Sequence, residues 1–259
     1  MSRAGRIRSE TVAAGKAFLR RRTAVFFTFF FPAIIILIFG ALVNTAGGTG
    51  GLFTEPPGYY VPGYLAVVVL FTPLSRVGSE VARHREDNRF EKLATTPLRR
   101  WEWLAAQTLV NVGIIGVAAA GILLLVVAVT GASIVFSPLL VPFVVLGVAL
   151  FCGLGAILGS LSDSSDGVIA ASNGIALPLL FLSETFVPQS LLPEWLPLWV
   201  SPLTYFSRGV RAVAYEPPDT LATSQVPGGL GVAESNLLVL AALTLAFFVV
   251  GAVTLPRTD

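Results

Sequence analysis

The longest uncharged stretch of this chain, residues 103–162, contains 60 residues without an Asp, Glu, Lys or Arg. A helix needs about 20 apolar residues in a row to cross a bilayer, so this stretch has room for two spanning helices joined by a turn near 131–138. The first apolar run of the chain already has spanning length and lacks the small-residue cleavage site of a signal peptide. The sequence predicts six spans, at about 24–43, 58–77, 104–130, 138–160, 167–183 and 235–255.

Composition supports the same fold class. Charged residues make up 12% of the chain and hydrophobic residues 54%, whereas soluble domains carry about 25% charged residues. These charges are too few to cover the surface of a soluble globule, and disordered chains are poor in apolar residues. We therefore expect an all-α integral membrane protein in which residues 1–259 form one transmembrane domain.

The positions of Arg and Lys predict the orientation of the spans, because cytoplasmic loops are enriched in both. Seven basic residues precede the first span, seven follow the second, and Arg257 lies in the tail. Only Arg208 and Arg211 fall on the opposite side, so 15 of the 17 basic residues would face the cytoplasm. We expect a multi-pass plasma-membrane protein with both termini cytoplasmic, an inner segment at 80–102 and an extracellular segment at 184–234.

The basic segment before the first span has the pattern of an amphipathic helix. Apolar residues are spaced among its charges: Ile7, Val12, Ala14, Phe18 and Leu19. Such a helix would lie on the inner leaflet of the membrane, where its arginines would meet anionic lipids. The alternative is a basic anchor that only fixes the topology.

The residue inventory excludes several chemistries. One Cys (Cys152) and one His (His84) cannot form an internal disulfide or a four-ligand zinc site, so we expect no metal. A phosphate-binding loop needs a Lys followed by Ser or Thr, and the only lysines, Lys16 and Lys92, precede Ala and Leu. We expect no catalytic residue, no cofactor in this chain and no nucleic-acid partner. Energy for active transport would have to come from another subunit.

The cores of the predicted spans are neutral: every acidic residue lies outside them, and Arg76 stands at the inner edge of the second span. Ion-coupled carriers usually place ionisable residues inside their spans, so a gradient-driven mechanism is disfavoured. Asn111 and Asn173 are predicted to hydrogen-bond across helices, with contact to a substrate as the alternative. Gly155 and Gly159 form a GxxxG pattern, which predicts a close helix–helix contact.

The inner segment 80–102 is too charged to lie in lipid but contains an apolar face. Phe90, Leu93 and Ala94 follow the i, i+3, i+4 spacing of a helix, and Pro97 would end that helix. An amphipathic helix of this kind could dock in a groove of a cytoplasmic partner. The alternative is a solvated loop whose charges only fix the topology.

This segment resembles the membrane subunits of ABC-2 type exporters, whose pattern after the second span is roughly E-x-G-T-[LI]-E-x-L-x-x-T-P. Five residues match it: Glu86, Glu91, Leu93, Thr96 and Pro97. Asn88 replaces the Gly of the pattern and Arg89 replaces the Thr. Because Asn tolerates a left-handed backbone, the turn at this Gly position can be kept.

A second resemblance to the same family lies after the fifth span, where the family shows LFLSGxxxP, LPxWL and PLTY. The chain matches these motifs in order, with Glu184 in place of Gly. The resemblance implies short re-entrant helices that cap the outer end of a transport pathway; an interfacial loop without a transport role is the alternative. The residues concerned are Ser183, Glu184, Pro188, Pro193, Trp195, Pro202 and Tyr205. Arg208 and Arg211 could pair with Glu194 or Glu216, or contact outer lipid head groups.

The resemblance implies the permease subunit of an ATP-driven exporter. Two copies, as a homodimer or with a close paralogue, would form the pathway at their seam, and two ATPase subunits would hold ATP and magnesium. The helix at about 86–98 would contact the ATPase. Exported molecules in this family include drugs, lipids and lipid-linked glycans, and neutral spans favour an amphipathic substrate. The alternatives are a gradient-driven carrier or channel and a membrane enzyme acting on lipids, for which Asp163 and Asp166 form the only compact acidic pair.

Overall fold

The structure of the chain is a computed structural model that describes residues 2–38, 56–132, 134–181, 183–187, 192–193, 195–215 and 231–256. Within these ranges the chain is helical, without a β-strand. The α-helices are α1 (Arg3–Arg20), α2 (Arg22–Ile36), α3 (Val61–Glu86), α4 (Arg89–Ala94), α5 (Arg100–Thr130), α6 (Leu140–Leu161), α7 (Ser165–Phe181), α8 (Pro202–Ala214) and α9 (Val232–Thr254). Short 3₁₀ turns lie at Pro57–Tyr60 and Leu198–Val200.

Four helices of the described chain are long and apolar enough to cross a membrane: α3 together with the 3₁₀ turn before it, α5, α6 and α9. The apolar helices α2 and α7 have 15 and 17 residues, or about 22 and 26 Å, against a hydrocarbon core of about 30 Å. A helix therefore overlaps each of the six predicted spans, and four of these helices reach spanning length within the described residues. Residues 39–43 of the first predicted span lie outside the described residues. The chain is a multi-pass helical membrane protein.

Helix α3 lies at the centre of the bundle, where α6, α7, α5, α8 and α2 pack around it. Its side chains are buried on nearly all sides along the segment Val61–Leu70. Helix α9 packs on α6 and α8. We call the end of the bundle with α1, α4 and the turn between α6 and α7 the inner end. The opposite end, with α8 and residues 183–187, is the outer end.

Glycines allow α6 to approach two neighbouring helices closely. A Cβ atom on Gly155 would lie 2.6 Å from the carbonyl oxygen of Leu74 in α3, and a Cβ atom on Gly159 would collide with the carbonyl oxygen of Gly78. On the other side of α6, a Cβ atom on Gly153 would lie 2.6 Å from the carbonyl oxygen of Phe247 in α9, and one on Gly251 of α9 would lie 2.6 Å from the carbonyl oxygen of Gly153. The contacts of Gly155 and Gly159 are of the close helix–helix kind that the GxxxG pattern predicts.

Helix α1 packs against the inner end of the bundle. Ser2 caps its first turn by accepting a hydrogen bond from the Gly5 N–H, 3.2 Å away. Its buried residues, Ala14 and Phe18, face the bundle, and α5 is its main contact. The Arg6 guanidinium donates two hydrogen bonds, of 3.0 and 2.5 Å, to the buried carboxylate of Glu102 in α5. The amphipathic pattern of this segment therefore serves, in part, to attach the helix to its own chain.

Candidate functional site

The inner segment is organised differently from the predicted helix at 86–98. Helix α3 continues without a break to Glu86, and the chain then turns through Asp87 and Asn88 into the six-residue helix α4. Asn88 has a left-handed backbone, with φ 51° and ψ 33°, at the position where the ABC-2 pattern has Gly. The short α4 ends before Thr95, two residues ahead of Pro97, because the residue before a proline disfavours helical geometry.

The apolar face of α4 packs on its own chain. The Phe90 ring lies 5.4 Å from the His84 ring and 5.7 Å from the Trp103 ring, measured between centroids. Leu93 and Leu98 are half-buried against the same hydrophobic core. Phe90 and Leu93 are therefore partly covered by their own chain, and their contact with another protein stays a prediction. Residues spaced for a helical face reveal that the face is covered, but not which surface covers it.

The opposite side of the inner segment is polar and exposed. Glu91, Lys92, Thr96 and Pro97 all face solvent. The Thr96 hydroxyl donates to the carbonyl oxygen of Leu93, 2.6 Å away, and so closes the end of α4. This side presents one acidic and one basic residue next to each other, and it is the most exposed surface of α4.

The last two residues of α3 connect it to the turn between α6 and α7. The Arg85 guanidinium donates hydrogen bonds of 2.8 Å to the carbonyl oxygens of both Ser160 and Ser162, at the end of α6. The carboxylate of Glu86 accepts a 2.9 Å hydrogen bond from the Ser165 N–H, the first residue of α7. Each charge has the sign that the nearby helix end favours, since carbonyl ends attract cations and N–H ends attract anions.

Replacing Glu86 by Ala is expected to loosen the first turn of α7. The Ser165 N–H would lose its acceptor, and losing a helix cap of this kind typically costs about 1 kcal/mol. Amide hydrogen exchange at residues 165–168 should become about fivefold faster. Glu86→Gln keeps a carbonyl acceptor and should exchange nearly as slowly as the wild type, as should Asp163→Ala on the same turn. Equal acceleration in Glu86→Ala and Asp163→Ala would contradict this role of Glu86.

A cleft of about 1220 Å³ opens between α2, α3 and α7. Aromatic and aliphatic side chains of α2 and α3 line its length, among them Phe27, Phe31 and Phe71. Helix α7 closes one side with Ile169 and Asn173. Only a narrow stripe of α7 is buried, Val168, Ser172, Ala176 and Leu180. The helices around this cleft therefore leave much of their apolar surface uncovered.

The two asparagines predicted to bond across helices have different environments. Asn111 is buried, and its side-chain carbonyl accepts a 3.0 Å hydrogen bond from Arg76 of α3. Its amide group donates to the carbonyl oxygen of Gln107, 2.8 Å away. Asn173 instead is exposed in the cleft and has no hydrogen bond to another side chain among the described residues. Because Asn173 faces the cavity, its position fits the alternative role, contact with a substrate.

The outer end contains a partly buried ion pair that joins residues 183–187 to α8. The Arg208 guanidinium donates hydrogen bonds of 2.9 and 2.5 Å to the two carboxylate oxygens of Glu184. These hydrogen bonds raise the pKa of Arg208 above its usual range. Arg211 donates to the backbone carbonyl of Glu184, 2.7 Å away, and its guanidinium lies 3.9 Å from the centroid of the Tyr59 ring.

The sequence suggested Glu194 and Glu216 as partners of the two arginines. Glu194 and Glu216 lie outside the described residues, and Arg208 pairs with Glu184. Glu184 also has a left-handed backbone, with φ 57°. It stands at the second position where the ABC-2 pattern has Gly, so the two left-handed residues other than Gly in the described chain, Asn88 and Glu184, both occupy such positions.

The other residues predicted at the outer end lie around this ion pair. Ser183 is buried, and its backbone carbonyl accepts a 2.9 Å hydrogen bond from the Ser207 hydroxyl. Pro202 is the first residue of α8, and the Tyr205 hydroxyl donates to the carbonyl oxygen of Trp199, 2.8 Å away. Pro193 and Trp195 are exposed, and Pro188 lies outside the described residues. Helix α8 buries one face, Leu203, Phe206, Val210 and Val213.

Several residues with clear structural roles had no signal in the sequence. Arg85 caps a helix that begins more than fifty positions later in the chain, and Arg208 pairs with a residue outside its own helix. Such contacts depend on the tertiary arrangement, since no local spacing marks them. In the described part of the chain, no group of three or more His, Cys, Asp or Glu residues is placed to hold a metal ion.

Residues 10–215 match the family model described as "ABC-2 type transporter". The matched range runs from α1 to the end of α8 and so includes the inner segment, the cleft and the outer ion pair. No curated protein sequence matches the chain.

Proposed function

Because the chain belongs to the ABC-2 type transporter family, we propose that it is the permease subunit of an ATP-driven exporter. The match over residues 10–215 carries this proposal. The chain contains no phosphate-binding loop, so ATP and magnesium would be held by separate ATPase subunits. Two permease copies, identical or closely related, would work with two ATPase subunits in the plasma membrane.

The inner end of the bundle would face the cytoplasm. Helix α1, the exposed side of α4 and the end of α9 all lie at this end, together with 14 arginines and lysines of segments 3–22 and 76–100. The Arg100 guanidinium donates to the carbonyl oxygen of Leu255, 2.8 Å away, so the described ends of the chain share one side of the bundle. Enrichment of basic residues on the cytoplasmic side supports this orientation.

The exported molecule would pass between two copies of the chain, along the cleft. Helices α2 and α7 are the apolar helices with the most uncovered surface around this cavity. A second copy packed beside them would enclose the cleft, and the exposed Asn173 would then face the pathway. The size and apolar lining of the cleft support an amphipathic cargo such as a drug-like molecule, a lipid or a lipid-linked glycan.

Movement of the ATPase would reach this pathway through α4 and the end of α3. The exposed side of α4 would contact the ATPase, while Phe90 and Leu93 hold α4 on the bundle. The hydrogen bond from the Ser165 N–H to the Glu86 carboxylate would connect the end of α3 to α7, which lines the cleft. At the outer end, residues 183–215 would form the re-entrant cap, held by Arg208 and Glu184.

Exchanging the neighbouring charges of Glu91 and Lys92 on α4 tests the contact with the ATPase. Glu91→Lys combined with Lys92→Glu keeps the net charge and leaves the buried face of α4 unchanged. Interfacial charge reversal costs about 1.4 kcal/mol or more, so affinity for a co-expressed ATPase subunit should fall about tenfold. The measurement is affinity of purified permease for this ATPase in nanodiscs.

A matched control reverses a charge away from α4. Arg8→Glu lies on the exposed side of α1 and should bind the ATPase as the wild type does. Unchanged binding by the exchanged variant would exclude the exposed side of α4 as the contact. Failure of the wild-type chain to bind any co-expressed ATPase would contradict the proposed function itself.

A further inference from the structure

The cleft between α2, α3 and α7 is charged at one end only. Five arginines line its inner end: Arg20, Arg21, Arg22, Arg76 and Arg83. No acidic side chain lines the cleft itself in the described part of the chain. The carboxylate of Glu80 pairs with Arg21 at 3.3 Å and lies 4.0 Å from Arg83. The inner end of the cleft therefore carries an excess of positive charge.

Two of these arginines are available to an external anion. Arg76 is occupied by its hydrogen bond to Asn111 and lies over the Phe18 ring. Arg20 and Arg22 flank the break between α1 and α2, are exposed, and form no ion pair with any described residue. Their guanidinium groups supply several N–H donors each, which suits phosphate and carboxylate oxygens.

Beyond the arginines, the cleft has the length of one membrane leaflet. Arg22 and Phe31 are nine residues apart on α2, which places them about 14 Å apart along the helix axis. Half of a hydrocarbon core of about 30 Å is about 15 Å. Phe27, Phe31 and Phe71 line this part of the cleft. A molecule with its charged group at Arg22 could therefore lay an alkyl chain along these rings.

We propose that the cleft binds an amphiphile with an anionic head group, a phosphate or a carboxylate, and that this is the cargo of the exporter. The transport part rests on the proposed function, whereas binding does not. The excess of positive charge excludes a cationic amphiphile of the same length. Each basic residue near a membrane surface raises the affinity for an anion about fivefold. Removing two arginines should therefore weaken binding of the anionic head group about 30-fold.

The experiment uses the full chain in phosphatidylcholine nanodiscs and three probes with the same alkyl chain: hexadecyl phosphate, hexadecyl maltoside and hexadecyltrimethylammonium. Retention by protein-containing discs is compared with retention by empty discs. We expect specific binding of hexadecyl phosphate alone, and about 30-fold weaker binding to Arg20→Ala/Arg22→Ala. The control Arg3→Ala/Arg8→Ala removes two exposed arginines of α1 that do not line the cleft, and it should bind as the wild type does.

Other occupants of the cleft give different results. Equal binding of the three probes, or equal loss in both arginine variants, would overturn the proposal. Inhibition by inorganic phosphate alone would assign the site to a soluble anion. Complete competition by phosphatidylglycerol in the disc would assign it to resident membrane lipid. Both results would overturn the assignment of an amphipathic cargo. Probe binding by a chain that assembles with no ATPase would refute the exporter and leave the binding site standing.

Discussion

Replacing Gly159 by Ala is expected to destabilise the protein strongly. A Cβ atom at this position would collide with the backbone carbonyl oxygen of Gly78 and would lie 2.7 Å from Cβ of Val81. Because the obstacle is backbone, no side-chain rotation can relieve it, and α6 would have to move away from the central helix α3. Overpacking of a core costs about 1–3 kcal/mol or more, and we expect the upper part of this range. The loss of stability is measured by thermal unfolding in detergent, together with the yield of monodisperse protein.

The control for Gly159 is a glycine of similar helical context without neighbours. Gly116 lies in α5, is exposed, and has no atom within 4 Å of a Cβ position. Gly116→Ala should be neutral or slightly stabilising, because Ala has the higher helix propensity. Gly155→Ala should resemble Gly159→Ala, since its Cβ atom would lie 2.6 Å from the Leu74 carbonyl oxygen. If Gly159→Ala unfolds at the same temperature as the wild type, α3 and α6 must lie farther apart than they do in the structure.

The sequence could predict the helices and one of their contacts, because both depend on local patterns. Uncharged runs indicate spans directly, and small residues four apart indicate a face that another helix approaches. The spacing of Gly155 and Gly159 does not indicate which helix packs against this face of α6. That partner is α3, whose Gly78 lies opposite. Pairing of helices is set by how the whole bundle fills its volume, which no single span encodes.

The inner segment shows the limit of helical spacing as evidence. Phe90 and Leu93 correctly indicated a short helix with one apolar face, yet that face packs near Trp103 of the same chain. Burial on its own protein and burial on a partner remove the same apolar area from water, so both select the same residues. Helical spacing gave no signal for the charged side of α4, because an exposed charge on a membrane protein also serves to fix topology. Only the resemblance to the family pattern marked Glu91, Thr96 and Pro97.

Asn88 and Glu184, the two residues with a left-handed backbone, replace glycines of the family pattern at different energetic cost. Asn88 keeps the turn after α3 at little cost, since Asn adopts this backbone more readily than most residues. Glu184 does not share that tolerance, and a left-handed backbone costs such a residue about 1 kcal/mol or more. Its side chain is buried and bonded to Arg208. We infer that the ion pair offsets the backbone strain, so that the two features of Glu184 should be separable by mutation.

Replacing Arg208 by Met is expected to destabilise the protein far more than replacing Glu184 by Gly. The Glu184 side chain is 3% exposed, whereas that of Arg208 is 36% exposed. Loss of Arg208 would leave a carboxylate buried without its partner, a change that costs about 3–5 kcal/mol for fully buried pairs. The partial exposure of Arg208 reduces this to roughly 2–3 kcal/mol. Thermal unfolding in detergent at neutral pH measures the loss.

Glu184→Gly removes the carboxylate and the backbone strain together, and Arg208 can then reach water from its partly exposed position. The hydrogen bond from Arg211 is kept, because its acceptor is the backbone carbonyl of residue 184. We therefore expect a change within about 1 kcal/mol of the wild type. Adding Glu184→Gly to Arg208→Met should recover most of the stability that Arg208→Met loses. Equal destabilisation by the two single variants, or no recovery in the double variant, would show that the buried carboxylate does not cause the loss.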